Sequence, residues 1–219
     1  MFAGHIGAGL AIARFERRVN VGAFVTAALL LDVVLWALIL AGRERVTFPT
    51  DFAVTHQPEF TFPISHGLVA SLVWSALGGL LLFAGAARLG AGRARAAALL
   101  AGAVFSHWLL DALVHRPELP IAGETVAGLG LWHQLPVALA VEGAIVVGGL
   151  IAFVAGSHLP RGRSIGLAAV SLLCLAFTVV GMTSAPAPPS AEAMASSSLI
   201  TLAIVCTVAV LLGRPSPTS

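Results

Sequence analysis

Six stretches of about twenty apolar residues, separated by short connections, dominate this chain and leave it few folds. They run 22–42, 66–87, 94–114, 135–156, 164–182 and 198–213. A helix needs about 20 mostly apolar residues to cross the hydrocarbon of a bilayer. Backbone polar groups in lipid must be satisfied within their own segment, so such stretches cross as helices. A seventh apolar segment, 2–15, is shorter. At ~1.5 Å per residue it covers roughly 21 Å, and Gly4, Gly7 and Gly9 let it approach other helices closely. The expected fold is all-α: a polytopic transmembrane bundle of six spanning helices plus a short N-terminal membrane helix.

Charge supports this and gives an orientation. Only 10% of the 219 residues are charged and 58% are hydrophobic, against roughly 25% charged in soluble domains. All twelve basic residues are Arg, and Tyr is absent, a composition that reads as the coding bias of a GC-rich bacterium. Nine of the Arg fall in alternate connections: Arg14, Arg17, Arg18, Arg88, Arg93, Arg95, Arg161, Arg163 and Arg214. The other side holds Arg43, Arg45 and Arg116, with Glu44, Asp51, Glu59, Glu118, Glu124 and Glu192. The positive-inside rule places the nine-Arg side in the cytoplasm. The N-terminus then faces outward and the C-terminus inward, in a bacterial inner membrane. The first segment carries no basic region followed by a cleavage site, so it reads as an insertion signal rather than a removable leader. The alternation requires residues 2–15 to count as a helix.

The chain reads as one transmembrane domain, 1–219. Residues 1–157 hold the polar helices, and 158–219 two packing helices joined to each other by a flexible Pro/Ala/Ser connector, 183–197. No basic run or arginine–aromatic stripe invites nucleic acid. Membrane lipids are the expected surroundings. Cys174 and Cys206 read as buried small hydrophobes.

The chemistry lies in the ionisable residues of the spans. His5, Asp32, His107, Asp111 and Glu142 sit inside or at the edge of apolar segments, and His66 opens another. An ionisable group at membrane depth is costly and is paired, lines a wet cavity or does chemistry. With the orientation above, all six fall in the outer half of the bilayer, the deepest roughly 10–15 Å in. His107, Asp111 and His115 follow at i, i+4 and i+8 and share one helical face. Two ligands at i, i+4 can clasp one metal ion. Asp32 lies between Leu29-Leu30-Leu31 and Val33-Val34-Leu35, where an unpaired carboxylate is costly and no Arg is near. Plainer readings stand beside these: a buried His as a hydrogen-bonded packing group, a lone carboxylate as a helix-pairing group. Trp132 and His133 read as interfacial, and His56 and His158 as loop residues without signal.

His5 in Gly4-His5-Ile6-Gly7, Asp32 in Leu30-Leu31-Asp32, His66 in Ser65-His66-Gly67, and Ser106-His107-Trp108-Leu109-Leu110-Asp111 occur in that order over about the first 115 residues. The pattern resembles the bacterial inner-membrane metal-dependent hydrolase-like family. Val33-Val34-Leu35-Trp36 stands where the family tends to show a second acid, which implies one metal rather than two. The resemblance implies a divalent metal, zinc above all, held by His5, Asp32, His66, His107 and Asp111.

A catalytic zinc takes three protein ligands and keeps one position open, and it lowers the pKa of water bound there to ~7. Glu142, or whichever of Asp111 and Asp32 is not a ligand, is the expected base or ligand-orienting group. The expected activity is hydrolysis of an ester, amide or phosphoester in a lipid-like, membrane-proximal substrate. A carrier using the same groups for protons or ions is the rival, although a carrier needs polar groups in both halves of the membrane. A non-catalytic subunit or haem binder ranks below both.

Overall fold

The computed structural model describes residues 1–157 and 159–214, with Arg88 by its backbone only. His158 and residues 215–219, at the end of the expected domain, lie outside the described residues. The fold is an all-α helix bundle. Its helices are α1 (Phe2–Ala13), α2 (Val21–Ala28), α3 (Leu30–Leu40), a single turn α4 (Phe52–Thr55), α5 (Leu68–Gly85), α6 (Arg93–Val114), α7 (Leu135–Val154), α8 (Arg161–Thr183) and α9 (Ala191–Leu212). Five helices are long and apolar enough to cross a membrane, and the α2–α3 pair makes a sixth span if counted as one. These helices fit a multi-pass membrane protein. Leu80, Leu81, Leu173, Phe177 and Ile200 point outward from α5, α8 and α9, as a lipid-facing surface requires.

The short helix α1 is more than a piece tucked against the bundle. Eight of its residues are buried, His5 among them. It packs along α7 and also touches α2, α6 and α8. Its small residues allow this: a Cβ on Gly7 would stand 2.5 Å from the Ile145 carbonyl oxygen, so the two backbones are in contact. Met1, Gly4 and His5 thereby enter the interior.

The expected span 22–42 is broken. It bends by 48° at Leu29, between α2 and α3, although no proline occurs between residues 21 and 40. The Ala28 carbonyl accepts a hydrogen bond from His107 Nδ1 at 2.7 Å. A side chain reaching into the helical ladder is a known cause of kinks. Below the bend α2 packs on α1, α6 and α9, its Asn20 side chain capping Gly22 at 2.8 Å and donating to Val210 O at 2.9 Å. Beyond the bend α3 packs chiefly on α9.

The two long connections fold into antiparallel hairpins rather than open loops. In one, β1 (Arg45–Thr47) pairs with β2 (Glu59–Thr61), Val46 opposite Phe60. In the other, β3 (Leu119–Ala122) pairs with β4 (Thr125–Ala127). An aromatic series ties the first hairpin between α3 and the end of α6. Trp36 meets Phe60 edge-on with ring centres 6.0 Å apart, and Phe62 meets His115 at 5.8 Å. The turn 62–67 after β2 thus lies against α6 and the first turn of α3. Helix α5 starts two residues later than its apolar stretch, so His66 lies in this turn and not in the helix. Gly67 is needed there, because a Cβ would meet the Pro63 carbonyl oxygen at 2.6 Å.

The last helix starts earlier than composition implies. Residues 191–197, read from the sequence as flexible connector, are its first turns. The Ser190 hydroxyl caps Ala193 N at 3.1 Å, and Glu192 lies in the first turn, both helix-starting signals. Arg14, Arg17, Arg18, Arg93, Arg95, Arg161, Arg163 and Arg214 lie at helix ends and connections away from the hairpins, which have Arg45 within β1 and Arg116 nearby. Arg18 bonds both oxygens of Glu16, at 2.8 and 2.7 Å, and holds that carboxyl below its ordinary pKa. Arg95 reaches the Phe15 carbonyl at 2.9 Å.

Candidate metal centre

Helix α6 supplies the floor of the site. His107 and Asp111 are one turn apart on its buried face, with side chains 0% and 3% exposed. Asp111 Oδ2 lies 3.2 Å from His107 Nε2. The turn 62–67 lowers His66 onto the same point: its Nε2 is 3.1 Å from His107 Nε2 and 3.3 Å from Asp111 Oδ2. Helix α1 brings His5, whose ring stacks on His107 with centres 3.6 Å apart and whose Nε2 lies 3.2 Å from Asp111 Oδ1. The Met1 amino group is 3.1 Å from that same oxygen. Asp32, in the first turn of α3, places Oδ1 3.7 Å from His107 Nε2 and 3.9 Å from His66 Nε2. Five candidates from four segments therefore meet.

Two overlapping groups have spacing suited to an ion: His66, His107 and Asp111, and His5, Asp32 and His107. The first is the tighter. Nitrogen and oxygen ligands ~2.0–2.1 Å from a tetrahedral zinc stand roughly 3.3–3.4 Å apart. The triangle of His66 Nε2, His107 Nε2 and Asp111 Oδ2 measures 3.1, 3.2 and 3.3 Å.

Hydrogen bonding makes the case stronger than spacing does. A carbonyl oxygen can only accept, so the Ala28 contact assigns a proton to His107 Nδ1, and in the neutral imidazole Nε2 is then bare. His66 Nδ1 faces Ser65 Oγ at 2.8 Å, and that hydroxyl is also 2.7 Å from Glu44 Oε2. With the Ser65 proton on the Glu44 side, His66 donates through Nδ1 and its Nε2 is bare too. Two imidazole lone pairs and a carboxylate oxygen then point at one another inside a buried site. Such a group of acceptors needs a cation among them. His5 adds to this: it is 0% exposed, and neither ring nitrogen makes a well-aligned hydrogen bond despite the short approach to Asp111.

Glu142 stands elsewhere. It is buried, and its Oε1 accepts the Gly4 backbone N–H at 3.0 Å. Among the described residues it belongs to neither ligand group. Three participants were not marked by the sequence. Glu44 sits between Arg43 and Arg45 and reads as a solvated loop charge, yet it is 2% exposed. In the sequence Ser65 stands only as the neighbour of His66, with no role of its own. The Ala28 carbonyl is a backbone group that no side-chain pattern reveals.

His115, on the shared α6 face, comes within 4.0 Å of Asp111 Oδ2 through Nε2, and its Nδ1 is 2.6 Å from Glu118 Oε1. Burial alone would raise the Glu118 carboxyl, but His115 and Arg116 outweigh it and hold it below its ordinary pKa. Glu118 and Arg116, with Arg45, Thr47, Glu59, Phe60 and Thr61, line a groove of about 490 Å³ beside the first hairpin. His56 Nδ1 contacts the Ala185 carbonyl at 2.9 Å, joining two connections at this end. His133 Nδ1 lies 3.0 Å from the Gly130 carbonyl in its own 3₁₀ turn.

Fold and site together define a class: a multi-pass helical membrane protein with a buried His/Asp cluster able to hold a metal ion. No protein-family model, curated protein or solved structure matches the chain.

Proposed function

We propose that the protein is a metal-dependent hydrolase of the membrane, acting on an ester, amide or phosphoester bond of a lipid-like substrate, as the family it resembles would have it. The observation that carries this reading is the convergence of two bare imidazole nitrogens and a carboxylate oxygen within 3.1–3.3 Å of one another. His66, His107 and Asp111 would hold one divalent ion, zinc being the best match to a set of two His and one carboxylate. Such an ion supplies a Lewis acid and an activated water.

Asp32 is the base that this geometry favours over Glu142. Its distances to the two histidines exceed those within the triangle, and its side chain is 19% exposed against 3% or less for the others. It can take the proton of an attacking water and return it to the leaving oxygen. His5 covers the His107 face and the far Asp111 oxygen, and Glu142 holds the start of α1 against α7.

Asp32→Asn tests the assignment. The assay uses p-nitrophenyl fatty-acyl ester and bis-p-nitrophenyl phosphate in mixed micelles, with and without chelator. Hydrolysis is expected in the wild type and is abolished by chelator. The variant keeps its metal and loses 10²–10⁴-fold in kcat, the ordinary range for a general base. Unchanged turnover in the variant rules out Asp32, and no chelator-sensitive hydrolysis of either probe counts against the hydrolase reading.

The Arg distribution supports an inner-membrane orientation with the hairpins and the site on the outer side. Single Cys residues placed at Gly90 or Ala91 are expected to resist impermeant thiol reagents in intact cells, while one at Gly123 reacts. The opposite pattern inverts the topology.

A further inference from the structure

We infer that Glu44 is a positioning residue: it fixes the His66 proton on Nδ1 and so keeps Nε2 bare. The geometry stands by itself; its consequence for metal binding rests on the metal-centre reading.

Glu44 occupies the turn between α3 and β1. Leu38 holds that turn, its carbonyl accepting from Arg43 N at 2.8 Å and Glu44 N at 3.3 Å. Oε1 accepts the backbone N–H groups of Ile64 and Ser65, both at 2.8 Å. Oε2 faces the Ser65 hydroxyl at 2.7 Å. An ionised carboxylate has no proton to give, so the single Ser65 hydroxyl proton is committed to Glu44. The remaining lone pairs of Ser65 Oγ face His66 Nδ1 at 2.8 Å, and the proton in that contact comes from the imidazole.

Without the carboxylate the alternative is close at hand. The Ser65 hydroxyl rotates and donates to Nδ1, and the His66 proton moves to Nε2. There it lies 3.1 Å from His107 Nε2 and 3.3 Å from Asp111 Oδ2. A proton bridge then stands where the cation would. Glu44 thus selects between a metal-binding pocket and a hydrogen-bonded polar cluster built from the same residues. Partners that fix the tautomer of a ligating His change metal affinity by 10–100-fold. Helix α3 contributes twice to the site, through Asp32 in its first turn and through Glu44 just past its last.

Glu44→Gln is the test, because it keeps volume and the acceptor for the two backbone N–H groups. Its amide nitrogen replaces Oε2 and donates to Ser65 Oγ, which frees the hydroxyl to turn toward His66. Long-range 1H–15N correlation on metal-free, 15N-His-labelled protein reads the tautomer. The expected result is Nδ1–H at His66 in the wild type and Nε2–H in the variant, with Zn2+ affinity 10–100-fold weaker by chelator competition. Nε2–H in the wild type overturns the inference without recourse to any variant. So does an unchanged tautomer in Glu44→Gln, even if the variant melts earlier, since a purely structural role would give that pattern. The expected tautomers with no Zn2+ bound by the wild type would uphold the positioning role and sink the metal-centre reading alone.

Discussion

His107→Ala is expected to remove the metal entirely: detergent-purified wild type carries one equivalent of a divalent transition metal per chain, and the variant carries none by elemental analysis. His107 belongs to both ligand groups. Structural zinc sites bind with apparent free energies of about 10–16 kcal/mol. Shared over three protein ligands, each deletion costs ~3–5 kcal/mol, or roughly 10²–10⁴-fold in affinity. The substitution also leaves the Ala28 carbonyl without its partner and the His5 ring without its stacking neighbour, so the α2–α3 bend loses support as well. Asp111→Asn is the companion variant. It keeps the volume, removes the carboxylate that lies nearer than Asp32 to both His66 and His107, and should also be metal-free. Equal metal in wild type and variants, or none in protein expressed with added zinc, would show that the cluster is structural.

Gly7→Leu should unfold the centre of the bundle, costing about 3 kcal/mol or more. Overpacking costs typically ~1–3 kcal/mol where side chains can yield. At Gly7 the obstacle is backbone: the new Cβ would meet the Ile145 carbonyl oxygen at 2.5 Å, its carbon at 2.7 Å and Val146 Cα at 2.8 Å. Helix α1 must then leave α7, and His5 leaves Asp111 with it. The measurement is SDS or thermal denaturation of the purified protein, with metal content in parallel. Wild-type stability in Gly7→Leu would mean that α1 does not pack here.

The long spans were legible because lipid imposes one rule on all of them: about twenty apolar residues and an internally bonded backbone. Helices α6, α7 and α8 match their apolar stretches closely for that reason. The break at Leu29 was not legible. Residues 22–42 are apolar apart from Thr26 and Asp32, and the bend coincides with a hydrogen bond from a histidine 79 positions away. The hairpins escaped notice because three- and four-residue strands carry too little alternation to register.

For the site, depth alone grouped His5, Asp32, His66, His107 and Asp111, since titratable groups in lipid seek one another. Depth equally grouped Glu142, which the structure pairs with the Gly4 backbone. Residue type could not separate these cases, because a helix fixes how deep a side chain lies and leaves its facing to packing. Glu44 shows the opposite failure. Flanked by Arg43 and Arg45 it looks like a surface charge, and only the return of the 62–67 turn buries it.

The sequence by itself determined that this chain is a membrane helix bundle, and which residues could be reactive within it, because the cost of polar groups in hydrocarbon is set residue by residue. Only the tertiary structure decided which of them share a centre and which nitrogen of each histidine faces it. Those choices depend on hydrogen bonds from Ala28, Ser65 and Glu44, distant in sequence, whose directions exist only once the helices have packed.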